Sequence, residues 1–186
     1  MEIKEELIHA CLKKDRASQK ALYDILLPYL NAVCRRYITN QADVKDALQE
    51  TFINIFRSID KYDKEKSQFK TWSVRIAINA SLRTNLKMNK GEPSELTDKT
   101  HCSTQPEIFH QLSNQELVNF LKTMPRQLFE IYNLRFIDGY THQEISDVLK
   151  IEIELSRKRL SRARTWLKER VNLETIDSVG IIKIFD

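Results

Sequence analysis

The stretch that decides the fold is Lys150-Ile-Glu-Ile-Glu-Leu-Ser-Arg-Lys-Arg-Leu-Ser-Arg-Ala-Arg-Thr-Trp-Leu-Lys-Glu-Arg170, with eight basic residues and three acidic ones. At helical spacing, Leu160, Ala163 and Leu167 fall at i, i+3, i+7 along one side, and Arg157, Lys158, Ser161 and Arg162 share another. A helix with an apolar seam and a basic, hydrogen-bonding face can dock on its own domain and still enter a DNA groove. A solvated basic helix in any helical bundle is the plainer alternative.

The residues upstream favour the groove. Thr141-His-Gln-Glu144 has the spacing of a capping box, in which a Thr hydroxyl caps the first free amides and a Glu three residues on reaches back. Gly139 just before it suits a turn or a helix C′ position. The pattern predicts a short helix from Thr141 to about Leu149, a tight turn, then the basic helix. That is helix-turn-helix order with the second helix as reader.

The composition fits an all-helical chain. The 186 residues include only three glycines and four prolines, at 28, 93, 106 and 125, leaving long uninterrupted runs with helical periodicity. This length accommodates one or two small domains, each able to bury a core. The net charge of +4 is modest, so placement of charge matters more than its sum. Cys11, Cys34 and Cys102 are unevenly spaced and odd in number, which predicts reduced thiols in a cytoplasmic compartment. His101, Cys102 and His110 invite a metal reading, but they lack CxxC spacing and lie in a polar stretch, so neither metal nor cofactor is expected. The start lacks the pattern of a signal peptide, and no apolar run approaches membrane-spanning length.

Outward from 150–170, periodicity places helices over about 2–13, from about 15 to a break or kink at Pro28, and over about 29–38. Asp43 is the expected N-cap of the next helix, in which Val44, Leu48, Ile55 and Ile59 repeat. The polar run 60–68 reads as a loop and 69–87 as a helix. Residues 88–106, punctuated by Gly91, Pro93 and Pro106, form the expected linker. A helix over about 106–122 and another starting at Pro125 precede the helix-turn-helix. The expected organisation is therefore a first domain over 1–87, the linker, a second domain over 107–173, and a tail over 174–186 in which Ser178–Phe185 has strand-like composition.

Two further surfaces carry chemistry. Asp43, Asp46, Glu50 and Asn54 line one face opposite the apolar stripe. That face admits three readings: an ordinary solvated face, paired catalytic carboxylates, or a dock for a basic helical partner. The segment 69–87 contains Lys70, Arg75, Arg83 and Lys87 and no acid. Cations interleaved with Phe69 and Trp72 suit single-stranded nucleic acid, whose phosphates they hold while rings or pockets receive unstacked bases. Trp72 alone would more simply be a core residue.

Together these residues resemble a bacterial RNA polymerase sigma factor of the sigma-70 family, extracytoplasmic-function (ECF) group. Asp43, Asp46, Gln49, Glu50, Thr51 and Phe52 match the family's D-A-x-D-L-x-Q-E-T-F pattern. Phe69, Trp72, Ile76, Ala77 and Asn79 match F-x-x-W-x-x-x-I-A-x-N. Met124-Pro125, Glu144-Ile145 and Arg159-Leu-Ser-Arg-Ala-Arg164 are similar to its M-P, E-I-A and R-L-S-R-A-R signatures, so the resemblance spans about 5–171. Three positions depart: Lys150 stands where a turn glycine is common, Glu152 where Ser often caps, and Ser156 where a buried Val is usual.

The resemblance implies roles. Asp43, Asp46, Gln49, Glu50 and Asn54 would bind the clamp helices of core RNA polymerase. Phe69, Lys70, Trp72, Arg75, Asn79 and Arg83, with the loop 60–68, would form or support the surface that opens the −10 promoter element. Arg157, Lys158, Ser161 and Arg162 would read the −35 element. It further implies sigma region 2 over 1–87, sigma region 4 over 107–173, a linker threading toward the RNA exit, an anti-sigma partner, cytoplasmic location without membrane insertion, and no catalysis by the chain itself. A helix-turn-helix regulator that is not a polymerase subunit is the main rival. A nuclease using the 43–50 carboxylates and a helical interaction protein follow it.

Overall fold

A computed structural model describes residues 3–88 and 120–170, and every element it describes is helical. The expected linker, most of the helix expected over 106–122, the His101, Cys102 and His110 trio and the Ser178–Phe185 segment lie outside the described residues. The chain divides into two compact units, Met1–Pro93 and Ser94–Asp186.

In the first unit, α1 spans Glu5–Leu12, α2 Arg16–Tyr37, α3 Gln41–Ser58 and α4 Phe69–Met88, with a single 3₁₀ turn at Ile59–Lys61 after α3. Asp15 starts α2, its Oδ2 accepting from the Ser18 amide at 2.8 Å. Of the break or kink expected at Pro28, the break is absent: α2 continues through it as one helix. Pro28 cannot donate to the carbonyl of Asp24, but both residues are exposed, which leaves that carbonyl open to solvent instead of orphaned in the core. On the opposite face Leu22, Leu26 and Leu30 are all but fully buried and hold both halves of the helix in register. The cap of α3 is Asn40, whose Oδ1 accepts from the Ala42 amide at 2.8 Å, rather than Asp43. Asp43 sits in the first turn, where its charge favours the helix dipole.

The core of this unit is the mutual packing of α2, α3 and α4. Small residues at the seams, Ala47, Ala77 and Ala80, are essentially inaccessible and let the helices approach closely. Buried hydroxyls satisfy themselves by bonding back one turn: Thr51 to the Ala47 carbonyl at 2.6 Å, Ser73 to Phe69 and Ser81 to Ala77, both at 2.8 Å. Cys34 lies between these helices, its thiol pushed up by burial and partly relieved by hydrogen bonds with Ser81 and Thr51. Buried Asn85 of α4 donates from Nδ2 to the Tyr37 carbonyl at 3.0 Å, satisfying the C-terminal end of α2.

In the second unit, α5 spans Arg126–Tyr132 and runs into a π turn at Asn133–Ile137; α6 spans His142–Leu149 and α7 Ile153–Lys168. Pro125 stands at the N-cap of α5. Leu121, Met124, Leu128, Phe129 and Tyr132 pack against Ala163 and Leu167 of α7, with Phe120, Phe136 and Trp166 around them. Burial pushes the Tyr132 phenol up to about 12. Within the π turn, buried Asn133 donates from Nδ2 to the Phe129 carbonyl at 3.0 Å.

Candidate nucleic-acid interface

The helix-turn-helix is built from three local features. Gly139 adopts φ +73°, a left-handed conformation that reverses the chain before α6. The capping box of α6 is complete: the Glu144 amide donates to Thr141 Oγ1 at 3.2 Å, and the Thr141 amide donates to Glu144 Oε2 at 2.8 Å. The turn into α7 runs through Lys150 at φ 55°, a left-handed non-glycine conformation that glycine would adopt without strain. It is tied by the Ser146 hydroxyl, which donates to the Ile151 carbonyl at 2.6 Å. Glu152 takes the N-cap position of α7 without a side-chain hydrogen bond.

Leu160, Ala163 and Leu167 of α7 are buried, as the apolar seam predicts. Arg157, Lys158, Ser161 and Arg162 are all exposed on another side. Arg157 is paired along the helix with Glu154 at 2.5 Å, an exposed contact worth at most about 1 kcal/mol and easily exchanged for phosphate. The remaining arginines are not equivalent. Arg164 lies 5.3 Å over the Phe136 ring and Arg170 4.6 Å over Trp166, both covering the core. Arg159 is half-buried, and burial lowers its pKa against the opposing pull of Glu130. The basic composition of 150–170 thus resolves into an outward, solvent-exposed polar face and a set of cations packed over the core.

In the first unit, Asp46 and Gln49 are exposed on α3, while Asp43, Glu50 and Asn54 are half-buried beside them. The carboxylate-and-amide ridge is continuous, but its edges are engaged. Glu50 Oε1 lies 3.7 Å from Arg83 Nη1 of α4, and Arg57 donates to Asn54 Oδ1. Among the described residues no group of three or more His, Cys, Asp or Glu could hold a metal ion.

The segment 69–87 does not form a single face. Phe69 is only 4% exposed, so it supports the surface and cannot stack on a base. Trp72 is half-buried and Arg75 exposed, while Asn79 is half-buried with Oδ1 inaccessible and without a hydrogen-bond partner. Lys70 points elsewhere: its Nζ lies 3.7 Å over the Tyr29 ring of α2. At about 100° per residue, Lys70 sits about 160° round the helix from Trp72.

One residue here escapes sequence reasoning. Tyr62 folds the 60–68 loop back onto α4, its ring centroid 4.9 Å from that of Phe69 and 5.6 Å from that of Trp72, while those two rings are 5.2 Å apart. Its hydroxyl donates to the Ser67 carbonyl at 3.0 Å, closing the loop on itself. The available signal was a lone aromatic in the run Asp60-Lys-Tyr-Asp-Lys-Glu-Lys66.

Comparison with known proteins completes this picture. A family model for Sigma-70 region 2 matches residues 22–87, which run from within α2 to the last turn of α4. A model for Sigma-70 region 4 matches residues 114–167 and takes in α5 to α7. The ECF RNA polymerase sigma-E factor of Escherichia coli K12 is 26% identical over 172 residues, 84% of this chain and 89% of that protein. The ECF RNA polymerase sigma-E factor of Haemophilus influenzae is 25% identical over 179 residues, 87% of this chain and 94% of that protein. Among solved structures, the sigma factor RpoE in complex with the anti-sigma factor NepR from Bartonella quintana shares the fold, with a TM-score of 0.51 and 21% identity over 81% of this chain and 94% of that one.

The chain belongs to the sigma-70 family of RNA polymerase sigma factors, in its extracytoplasmic-function group. It is a promoter-directing factor for transcription initiation. The rival reading, a helix-turn-helix regulator outside the polymerase, accounts for α5 to α7 but leaves the region 2 segment from residue 22 to 87 without a task.

Proposed function

We propose that this chain joins core RNA polymerase through the α3 ridge of Asp43, Asp46, Gln49, Glu50 and Asn54, and recognises two promoter boxes with its two units. Residues 1–87 act as region 2 and 107–173 as region 4, with 88–106 between them. The exposed face of α7, Arg157, Lys158, Ser161 and Arg162, enters the major groove at the −35 element. The aromatic cluster at the start of α4, with Trp72 half-exposed and Phe69 supporting it from below, receives the opened −10 strand, while Arg75, Asn79 and Arg83 further along α4 and Lys70 on its other side hold the backbone.

The support for this reading is the segregation of chemistry. Acidic and amide side chains are exposed on α3, and cations on the far side of the buried α7 seam. Opposed charge speeds the encounter with a basic partner and fixes its register. Each contact alone is weak, and tethering raises the effective concentration of the second. Strand opening is driven by capture, an unstacked base held on an aromatic surface offsetting the few kcal/mol, roughly, of unstacking. All bond chemistry then belongs to the polymerase. A sequestering anti-sigma partner in the cytoplasm, of the kind bound to the Bartonella protein, fits the same scheme.

Footprinting tests the assignment. Core polymerase carrying this chain should protect two boxes on a promoter selected from a random library, with permanganate reactivity confined to the downstream one. Protection of a single box that persists without core polymerase would restore the regulator reading.

A further inference from the structure

None of the surfaces above uses Ser156 or His142, yet these side chains meet. Ser156 lies in the first turns of α7 and is 0% exposed. A buried helical hydroxyl ordinarily bonds back one turn to its own helix, as Thr51, Ser73 and Ser81 do in the first unit. Ser156 instead places Oγ 2.9 Å from Nδ1 of His142, the first residue of α6. His142 follows the capping-box Thr141, so its backbone is already fixed.

This contact lies one turn beyond the junction of the two helices. At the junction, Ser146 donates to the Ile151 carbonyl. His142 is four residues before Ser146, and Ser156 five after Ile151. The buried seam of Leu160, Ala163 and Leu167 sets the coarse roll of α7 from its middle onward; a second polar tie a turn from the junction limits the remaining play at its N-terminal end. Rolling matters because Arg157 adjoins Ser156. A roll of about 20° moves an arginine tip about 8 Å from the axis by about 3 Å, beyond the tolerance of a hydrogen bond to a base edge.

We propose that the His142–Ser156 hydrogen bond is a latch that sets the roll of α7 and thereby selects which of its polar side chains reach bases. The latch makes His142 and Ser156 positioning residues, and it rests on the reading of α7 as the −35 reader. A neutral imidazole closes the contact in either tautomer, Nδ1 accepting from the Ser156 hydroxyl when the ring proton is on Nε2 and donating to Oγ when it is on Nδ1. Its surroundings agree. Burial first, then the Arg135, Arg157 and Arg164 charges, hold the imidazole pKa below its ordinary value against the smaller opposing effect of Glu154.

The test uses the full chain bound to core polymerase, on a promoter selected from a library by the unaltered protein. Preference for the selected −35 sequence over a scrambled one is measured for Ser156→Ala, His142→Ala and the double variant. Each single change should lower that preference about tenfold, and the double change no further. Affinity for core polymerase should be unchanged, and Ser156→Thr, which keeps the hydroxyl, should restore most of the preference. Unchanged preference in the folded single variants, or additive losses, would overturn the latch. Should the unaltered holoenzyme show no −35 preference at all, the functional reading fails separately. The latch is then decided by urea unfolding of the free chain: a coupling of fivefold or more in the unfolding constant between positions 142 and 156 supports it, and zero coupling refutes it.

Discussion

Arg83 of α4 brings Nη1 to 3.7 Å from Glu50 Oε1 of α3, so a cation assigned to promoter DNA edges the ridge assigned to the polymerase. Arg83 is mostly in solvent and Glu50 half-buried, and at this separation the pair contributes at most about 1 kcal/mol to stability. Its importance is geometric: both tasks proposed for the first unit share one seam between α3 and α4.

That seam decides which charge reversal is informative. Asp46 is exposed on the ridge, and Asp46→Arg should abolish co-purification with core polymerase while leaving unfolding free energy within about 0.5 kcal/mol of the unaltered protein. Glu50→Lys should also block binding, but it sets a second cation against Arg83 and lowers stability slightly. Retention of core polymerase by Asp46→Arg would remove α3 from the interface.

Tyr62 should matter for strand opening. Tyr62→Ala removes two ring contacts and the tie to Ser67, so it should cost about 2 kcal/mol of stability and loosen the loop. Permanganate reactivity at the −10 element should fall at least tenfold, with −35 protection intact. Tyr62→Phe, which keeps the rings, should behave almost as the unaltered protein.

Asn85 tests the core. Asn85→Ala leaves the Tyr37 carbonyl without its donor in a buried place, which should cost about 1–3 kcal/mol. Urea denaturation should show a lower midpoint with the same slope.

Among the described residues, most of the helices, their order and the division of α7 into buried and exposed sides are legible in the sequence, because they rest on 3.6-residue periodicity and on the capping box at Thr141. Other features depended on three-dimensional setting. Whether Pro28 breaks a helix depends on what faces the orphan carbonyl, and here both Asp24 and Pro28 are exposed. Asn40 and Asp43 are both good caps by type, and the chain direction at residue 40 chose the former. Lys70 was grouped with Trp72 by composition, yet lies across the helix against Tyr29. The partnership of Ser156 with His142 joins two helices and has no local signature.

The His142 imidazole gives a pH dependence. Its pKa is lowered in the folded state, whereas in the unfolded chain it titrates near about 6.5. Below that value the unfolded chain binds more protons, so this contribution to stability is complete above about pH 6.5 and is lost as pH falls through the folded value. Unfolding free energy measured between about pH 7.5 and 5 should decline less steeply in His142→Ala than in the unaltered protein. Parallel curves would show that His142 is not held neutral by folding.

The central claim is that this chain turns core RNA polymerase into a promoter-specific enzyme. Multiple-round transcription with purified core polymerase on a promoter library measures that directly. The account predicts discrete start sites that share two spaced boxes, appear only when the chain is added, and vanish with Asp46→Arg. Transcription no different from that of core polymerase alone, on every template, would contradict it.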